Sequence, residues 1–444
     1  MVLAALPWLI DLPDITLQEL KGLVLGERVG NRIMYSEIID RSPPLLAVMD
    51  GFLNLLFGRS LLARHILSLF ILFFQAAFFA VLLIQNRAYN ENTYVPSLLF
   101  GFLCFFSFDV LAFTPELIAS SFLLLALNNV FKEIEFRVER DSIVLNLGVF
   151  LGLASLVVVS YSIFLVGVIF ILAVFARATV RKIFLLLFGF CLTHGIVFTL
   201  YFFYDKTGDL WQHFYLANFN QTQVVLVSFH SMLILGAIPL SYFVISLLML
   251  TREARFTRYQ SQIFQILLLW MTVAALQLAL APEIAPHSFM TFIPPLTYFI
   301  CHYLLLIRRK RIAELMMWIL LAGVLTTSNL AWHMAISRID YSGLFPKASP
   351  YDAVISNKRI MIIGDDMALY KRNSLGGIFL DWELSRRFLE EPDTYENVIR
   401  VNDAFADDPP DVIVDERGLL SPFFRRIPHL RKTYRKEGVI YWRL

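Results

Sequence analysis

The chain has 444 residues, 58% of them hydrophobic and 17% charged, with a mean hydropathy of +0.65. Water-soluble domains sit near half apolar and a quarter charged, so this composition excludes an ordinary soluble protein; 41 Phe, 17 Tyr and 7 Trp add a lipid-facing, aromatic character. The near balance of 38 Lys and Arg against 36 Asp and Glu offers no field for a polyanion, which excludes nucleic acid as a partner.

Met1–Ile10 holds ten apolar residues before Asp11, about half of what a spanning helix needs. It reads as the tail of a first membrane helix whose beginning is missing or very short. Residues 11–64 then read as an outer loop rather than a span. Leu17, Leu20, Leu23 and Leu25, set among Glu19, Lys21 and Glu27, predict a helix lying on the membrane surface. A short apolar helix over 45–57 follows, started by Pro43-Pro44, because Pro costs nothing where the N–H has no helical partner. Gly58-Arg59-Ser60 breaks it.

Apolar runs of spanning character follow at 65–85, 95–111, 115–131, 143–159, 161–176, 183–203, 226–250, 263–280, 288–307 and 313–335. The stretch 143–176 reads either as two spans around a tight turn at Ser160–Ser162 or as one broken, re-entrant element. Charge sorts the loops. Segments 86–94, 132–142, 176–182, 251–258 and 308–311 carry 14 Lys and Arg, whereas the alternate loops 112–116, 160–162, 204–225 and 281–287 carry one, Lys206. Positive loops stay in the cytoplasm. The second set, the loop before Arg64 and everything after about residue 340 are therefore expected outside. Cys104, Cys191 and Cys301 lie inside apolar runs and read as small core hydrophobes.

Residues 345–444 change composition, with 16 Lys and Arg and many acids. Arg359–Gly364 reads as a buried strand, 381–390 as a helix, and Pro410–Asp415 and Val439–Arg443 as two more strands. The expected architecture is an α-helical polytopic membrane protein with a small extracytoplasmic α/β domain, divided as 1–344 (including the loop 11–64) and 345–444. Gly364-Asp365-Asp366 can be read as a metal or nucleotide site, but no further ligands accompany it and an ordinary turn is the expectation.

Acids at the edge of hydrocarbon are costly and mark functional sites by default. The outward ones are Glu19, Glu27, Glu37, Asp40, Asp109, Glu116 and Glu283, all on one face. Glu116 sits at a helix start in Phe113-Thr-Pro-Glu-Leu117, where the dipole also favours an acid; a capping role and a functional one both fit. Asp40 has Arg41 beside it as a structural partner. His194, His302 and His333 read as polar bundle residues, and His287, at an outer helix start, can meet an anion. No metal-binding His spacing, phosphate loop or nucleophile elbow is present, so neither a cofactor nor nucleotide chemistry is expected.

Four passages carry a resemblance. Thr16-Leu-Gln-Glu19-Leu with Tyr35-Ser-Glu-Ile-Ile-Asp40-Arg41-Ser-Pro43-Pro44-Leu45, Phe57-Gly-Arg-Ser60 with Leu62-Ala-Arg64, Thr114-Pro115-Glu116, and His287-Ser288 before Pro294-Pro295 are similar in order and sidedness to passages of the GT-C class of membrane glycosyltransferases. The similarity is to bacterial members related to the protein mannosyltransferases and the aminoarabinose transferase. Gln18-Glu19 stands where that class commonly has Asp-Glu, and His287 where it has Arg.

The resemblance implies a multi-pass protein of the bacterial inner membrane that takes a sugar from a polyprenyl-phosphate donor on the outer face. It makes Glu19 the general base, with Asp40 and Glu116 shaping the site and Arg64, His287, Tyr35 and Arg41 holding substrate. A lipid-linked-intermediate transporter or a non-catalytic scaffold is the rival reading. Transport predicts internal repeats and mid-bilayer acids, and the sequence shows no repeat.

Overall fold

The computed structural model describes residues 5, 8, 10, 11, 13–30, 32–135, 141–176, 178–253 and 256–444; most of Met1–Ile10, read above as a truncated span, lies outside them. In chain order the outer loop gives α1 (Leu17–Val29) and α2 (Pro44–Phe57). The apolar region gives α3 (Leu61–Gln85), α4 (Val95–Leu103), α5 (Pro115–Glu135), α6 (Asp141–Ser155), α7 (Ile163–Ile171) and α8 (Val180–Phe203). Then come β1 (Val224–Val225), α9 (Phe229–Glu253), α10 (Arg258–Leu280), β2 (Glu283–Ile284), α11 (Ile293–Leu306) and α12 (Lys310–Trp332).

Among the described residues, eight helices are long and apolar enough to cross a membrane, which makes the chain a helical polytopic membrane protein. Two of the ten expected spans are shorter. The run 95–111 stops helically at Leu103, because Phe105 leaves helical φ/ψ and Ser107 is extended, and Cys104–Leu111 forms two 3₁₀ turns. Nine α-helical residues extend only about 14 Å. The stretch 143–176 resolves into α6 and α7, separated by a 3₁₀ turn at Val159–Ser162.

The chain divides into two compact units. The first comprises Met1–Asp14, Leu61–Ile196 and Thr222–Leu344. Inside it α6 and α8 approach backbone to backbone. A Cβ on Gly148 would lie 2.1 Å from the Leu186 carbonyl, and one on Gly189 2.4 Å from that of Leu145. Close glycine contacts of this kind replace the missing hydrophobic drive between helices in lipid. The outward faces of α8 and α9 carry Phe184, Phe188, Leu192, Leu233 and Leu248 exposed, as lipid-facing surfaces do.

The second unit comprises Ile15–Ser60, Val197–Gln221 and Phe345–Leu444. This differs from the division expected from composition, since the first outer loop groups with the C-terminal region instead of with the helices. The reason is local pairing. Ile39 bridges Phe379 in parallel, Ile39 N–H donates to Ile378 O at 2.7 Å, and Ile39 sits in the same apolar cluster as Met361, Ile363, Phe405 and Phe423. The hairpin of α1 and α2 packs tightly too: a Cβ on Gly26 would lie 2.5 Å from the Asp50 carbonyl oxygen.

The C-terminal sheet contains β3 (Arg359–Ile363), β4 (Ser374–Leu375), β5 (Val412–Asp415), β6 (Tyr434–Glu437) and β7 (Ile440–Arg443), ordered β4-β3-β5-β7-β6. The pairs β3–β4 and β3–β5 are parallel, and β7 runs antiparallel to β5 and β6. Helices α13 (Trp382–Leu389), α14 (Tyr395–Asp407), α15 (Leu420–Arg426) and α16 (Pro428–Thr433) connect and cover it. The three strands and the helix at 381–390 read from the sequence are all present. The reading omitted β6, whose Tyr-Arg-Lys-Glu sequence has three exposed residues and is that of a charged edge strand.

Candidate functional site

The expected site residues fall into two groups, one in each unit. In the second unit, Glu19 lies in the first turn of α1. Its Oε2 accepts the Thr16 main-chain N–H at 3.1 Å and the Thr16 hydroxyl at 2.9 Å, while Thr16 Oγ1 accepts the Glu19 N–H. Two otherwise orphaned donors are satisfied reciprocally, which is a capping box. Asp40 is completely buried. It accepts the Ser42 N–H at 3.0 Å and pairs with Lys21 Nζ at 2.9 Å.

Arg41, expected beside Asp40, turns the other way. Its Nε and Nη2 donate to Asp381 at 2.5 and 2.8 Å, and Nη2 also donates to Glu383 at 2.8 Å. Neighbouring side chains of an extended chain point to opposite sides, so Asp40 reaches α1 while Arg41 reaches α13. Burial works against both charges of the Arg41–Asp381 pair. The hydrogen bonds and the Lys21 and Arg41 charges nevertheless hold the Asp381 carboxyl below its usual range, and the Asp381 and Glu383 carboxylates raise the guanidinium.

Tyr35 is buried, with its hydroxyl donating to Ser42 O at 2.7 Å and its ring stacked on Phe214 at 6.0 Å. Its φ of +70° is uncommon for an aromatic residue and places it at a tight turn. Nearby, burial lowers His213 below the ordinary imidazole value, with Arg400 acting in the same direction.

In the first unit, Arg64 lies in the first turns of α3 and is 2% exposed. Glu116 follows Pro115 at the start of α5, where Thr114 Oγ1 accepts the Leu117 N–H at 3.3 Å. Its side chain is 13% exposed. His287, expected to meet an anionic ligand, faces two carboxylates of the protein. Asp109 Oδ2 accepts its main-chain N–H and lies 3.0 Å from Nδ1, and Nε2 lies 3.8 Å from Glu116 Oε2.

Asp109 was read only as one outward acid among seven. The helical break at Phe105–Ser107 carries it to His287, and the signal that could have singled it out is an acid inside an otherwise apolar run. Polar groups gather around this cluster in the same unit. Gln277 donates to Ser160 Oγ at 3.2 Å, and the buried Tyr161 hydroxyl and Asp109 Oδ1 have no protein hydrogen-bond partner among the described residues. Each such group costs about 1–3 kcal/mol, a cost that a static core would be expected to shed.

Among the described residues, no three His, Cys, Asp or Glu side chains are placed to hold a metal ion. The Gly364-Asp365-Asp366 passage is a turn in which Asp366 Oδ1 caps the Ala368 N–H at 3.1 Å and Asp365 pairs with Arg417.

No family profile and no curated protein matches the chain. Among the solved structures that match in fold are two of ArnT, the aminoarabinose transferase, from Cupriavidus metallidurans. The one bound to undecaprenyl phosphate has a TM-score of 0.55 at 12% identity, covering 88% of this chain and 87% of that one. The apo form has a TM-score of 0.54 at 10% identity with the same coverage. At this level of identity the likeness is one of fold, and it runs through both units.

Proposed function

We propose that the chain is a membrane glycosyltransferase that moves a sugar from a polyprenyl-phosphate donor to an acceptor hydroxyl on the extracytoplasmic face. The observation that carries this reading is the fold shared over almost the whole length with a protein whose structure holds undecaprenyl phosphate. The outward set of acids supplies the base such a reaction needs. In this reading Glu116 takes that role in preference to Glu19. Glu19 Oε2 is engaged in capping its own helix and Asp40 is buried against Lys21, whereas Glu116 is the more open carboxylate, with an imidazole beside it. Arg64 is assigned to the lipid phosphate.

The deciding experiment is transfer from a radiolabelled polyprenyl-phosphate sugar by the purified chain in nanodiscs. Turnover into any lipid, glycan or protein acceptor supports the reading. A chain that binds the lipid-linked donor without turning it over favours the scaffold, and the pairing of Asp40 and Arg41 with protein partners lends that rival some support. The face is tested separately. Val354 is exposed, so a membrane-impermeant maleimide should label Val354→Cys in intact cells; labelling only after permeabilisation would invert the topology.

A further inference from the structure

The acids around His287 are graded by exposure. Asp109 is 1% exposed, His287 is buried against it, and the Glu116 side chain is 13% exposed. Glu116 is thus the most open member of the cluster. A carboxylate at the margin of an apolar bundle tends to the neutral form unless a cation faces it, and a neutral carboxyl cannot accept a proton. His287 Nε2, 3.8 Å from Glu116 Oε2, is a cation-capable group in reach. Asp109 Oδ2 holds His287 at two points, the ring Nδ1 and the main-chain N–H, both at 3.0 Å. This fixes the ring and favours its charged form.

We propose that Asp109 and His287 are positioning residues: Asp109 orients and charges the imidazole, and the imidazolium keeps Glu116 ionised and aimed as the base. The proposal rests on the glycosyl-transfer reading. In the step itself the acceptor O–H bond breaks and its proton passes to Glu116. The freed oxygen pair forms the bond to the anomeric carbon, and the anomeric C–O bond breaks with its pair leaving on the polyprenyl phosphate. His287 and Asp109 touch none of the reacting atoms. Glu283 also acts on His287, and Glu116 and Asp109 act in turn on the Tyr161 and Tyr341 hydroxyls.

The test compares wild type with Asp109→Asn, His287→Gln and Glu116→Gln in nanodiscs, following the pH profile of kcat/KM and the histidine nitrogen NMR signal of His287. Asp109→Asn should move the acid limb up by about one pH unit, lower kcat/KM about tenfold along that limb, and shift His287 toward its neutral form. His287→Gln should move the same limb, and it carries the test should the Asn variant fail to fold. In a Glu116→Gln background, Asp109→Asn should change nothing further, which a merely structural residue would not satisfy. An unmoved acid limb in a folded Asp109→Asn variant, or additive losses, overturns the proposal. If wild type transfers no sugar while the NMR signal still responds to Asp109→Asn, the glycosyl-transfer reading fails and takes the catalytic assignment with it, leaving only the ion-paired cluster.

Discussion

Glu116→Gln should lower sugar transfer by about a hundredfold or more while leaving the protein folded, because it keeps the shape of the side chain and removes the proton acceptor. Glu19→Gln should behave differently. Gln serves at the third position of a capping box as Glu does, so the reciprocal bonds with Thr16 survive in altered form. Turnover should stay within severalfold of wild type and thermal stability should change by less than about 1 kcal/mol. Side-by-side rates from the lipid-linked donor decide between the two carboxylates. The reverse pattern, with Glu19→Gln inactive and Glu116→Gln active, would return the base to the first outer loop and remove the reason for placing His287 and Asp109 around the reaction.

The largest stability effect is expected at Arg41. Arg41→Met keeps much of the side-chain length but leaves Asp381 buried without its main partner, and breaking a buried pair on one side costs about 3–5 kcal/mol. Thermal scans at matched rates should show a large downward shift, and Asp381→Leu in the same chain should recover much of it. The loss should also depend on pH. Asp381 has its folded carboxyl held below the ordinary value, so its contribution is fully present above an unfolded value of about 4 and disappears as pH falls through the folded one. The gap between wild type and Arg41→Met should therefore be widest near neutrality and close below about pH 4. A gap that stays constant into acid would mean that Arg41 acts by packing, not by charge.

Much of the architecture was legible because membrane helices announce themselves by length and apolarity. The helix read over Leu17–Leu25 is α1, and the run 45–57 is α2. Where the reading slipped, short-range geometry outweighed composition. Nothing in the apolar run 95–111 announces that Phe105 and Ser107 leave the helix, so Asp109 passed as one edge acid among several. The partner of Asp40 was misplaced because adjacency in sequence suggested Arg41, whereas an extended backbone sends the two side chains apart. The grouping of the first loop with the C-terminal sheet could not be read from composition, since one bridge at Ile39 and a few ion pairs set it.

That grouping has a consequence during synthesis. Arg41 and Asp381 are 340 residues apart in the chain. At about 5–20 residues per second, Ile39 and Arg41 wait roughly 20–70 s for their partners to emerge from the ribosome. Throughout that interval α1 and α2 have no sheet to settle on, and the side chains of Ile39 and Arg41 lie open to water and to proteases. The late-made end of the chain thus completes the folding of its early-made loop, and a nascent chain stalled before residue 381 should be cut preferentially within the first 60 residues.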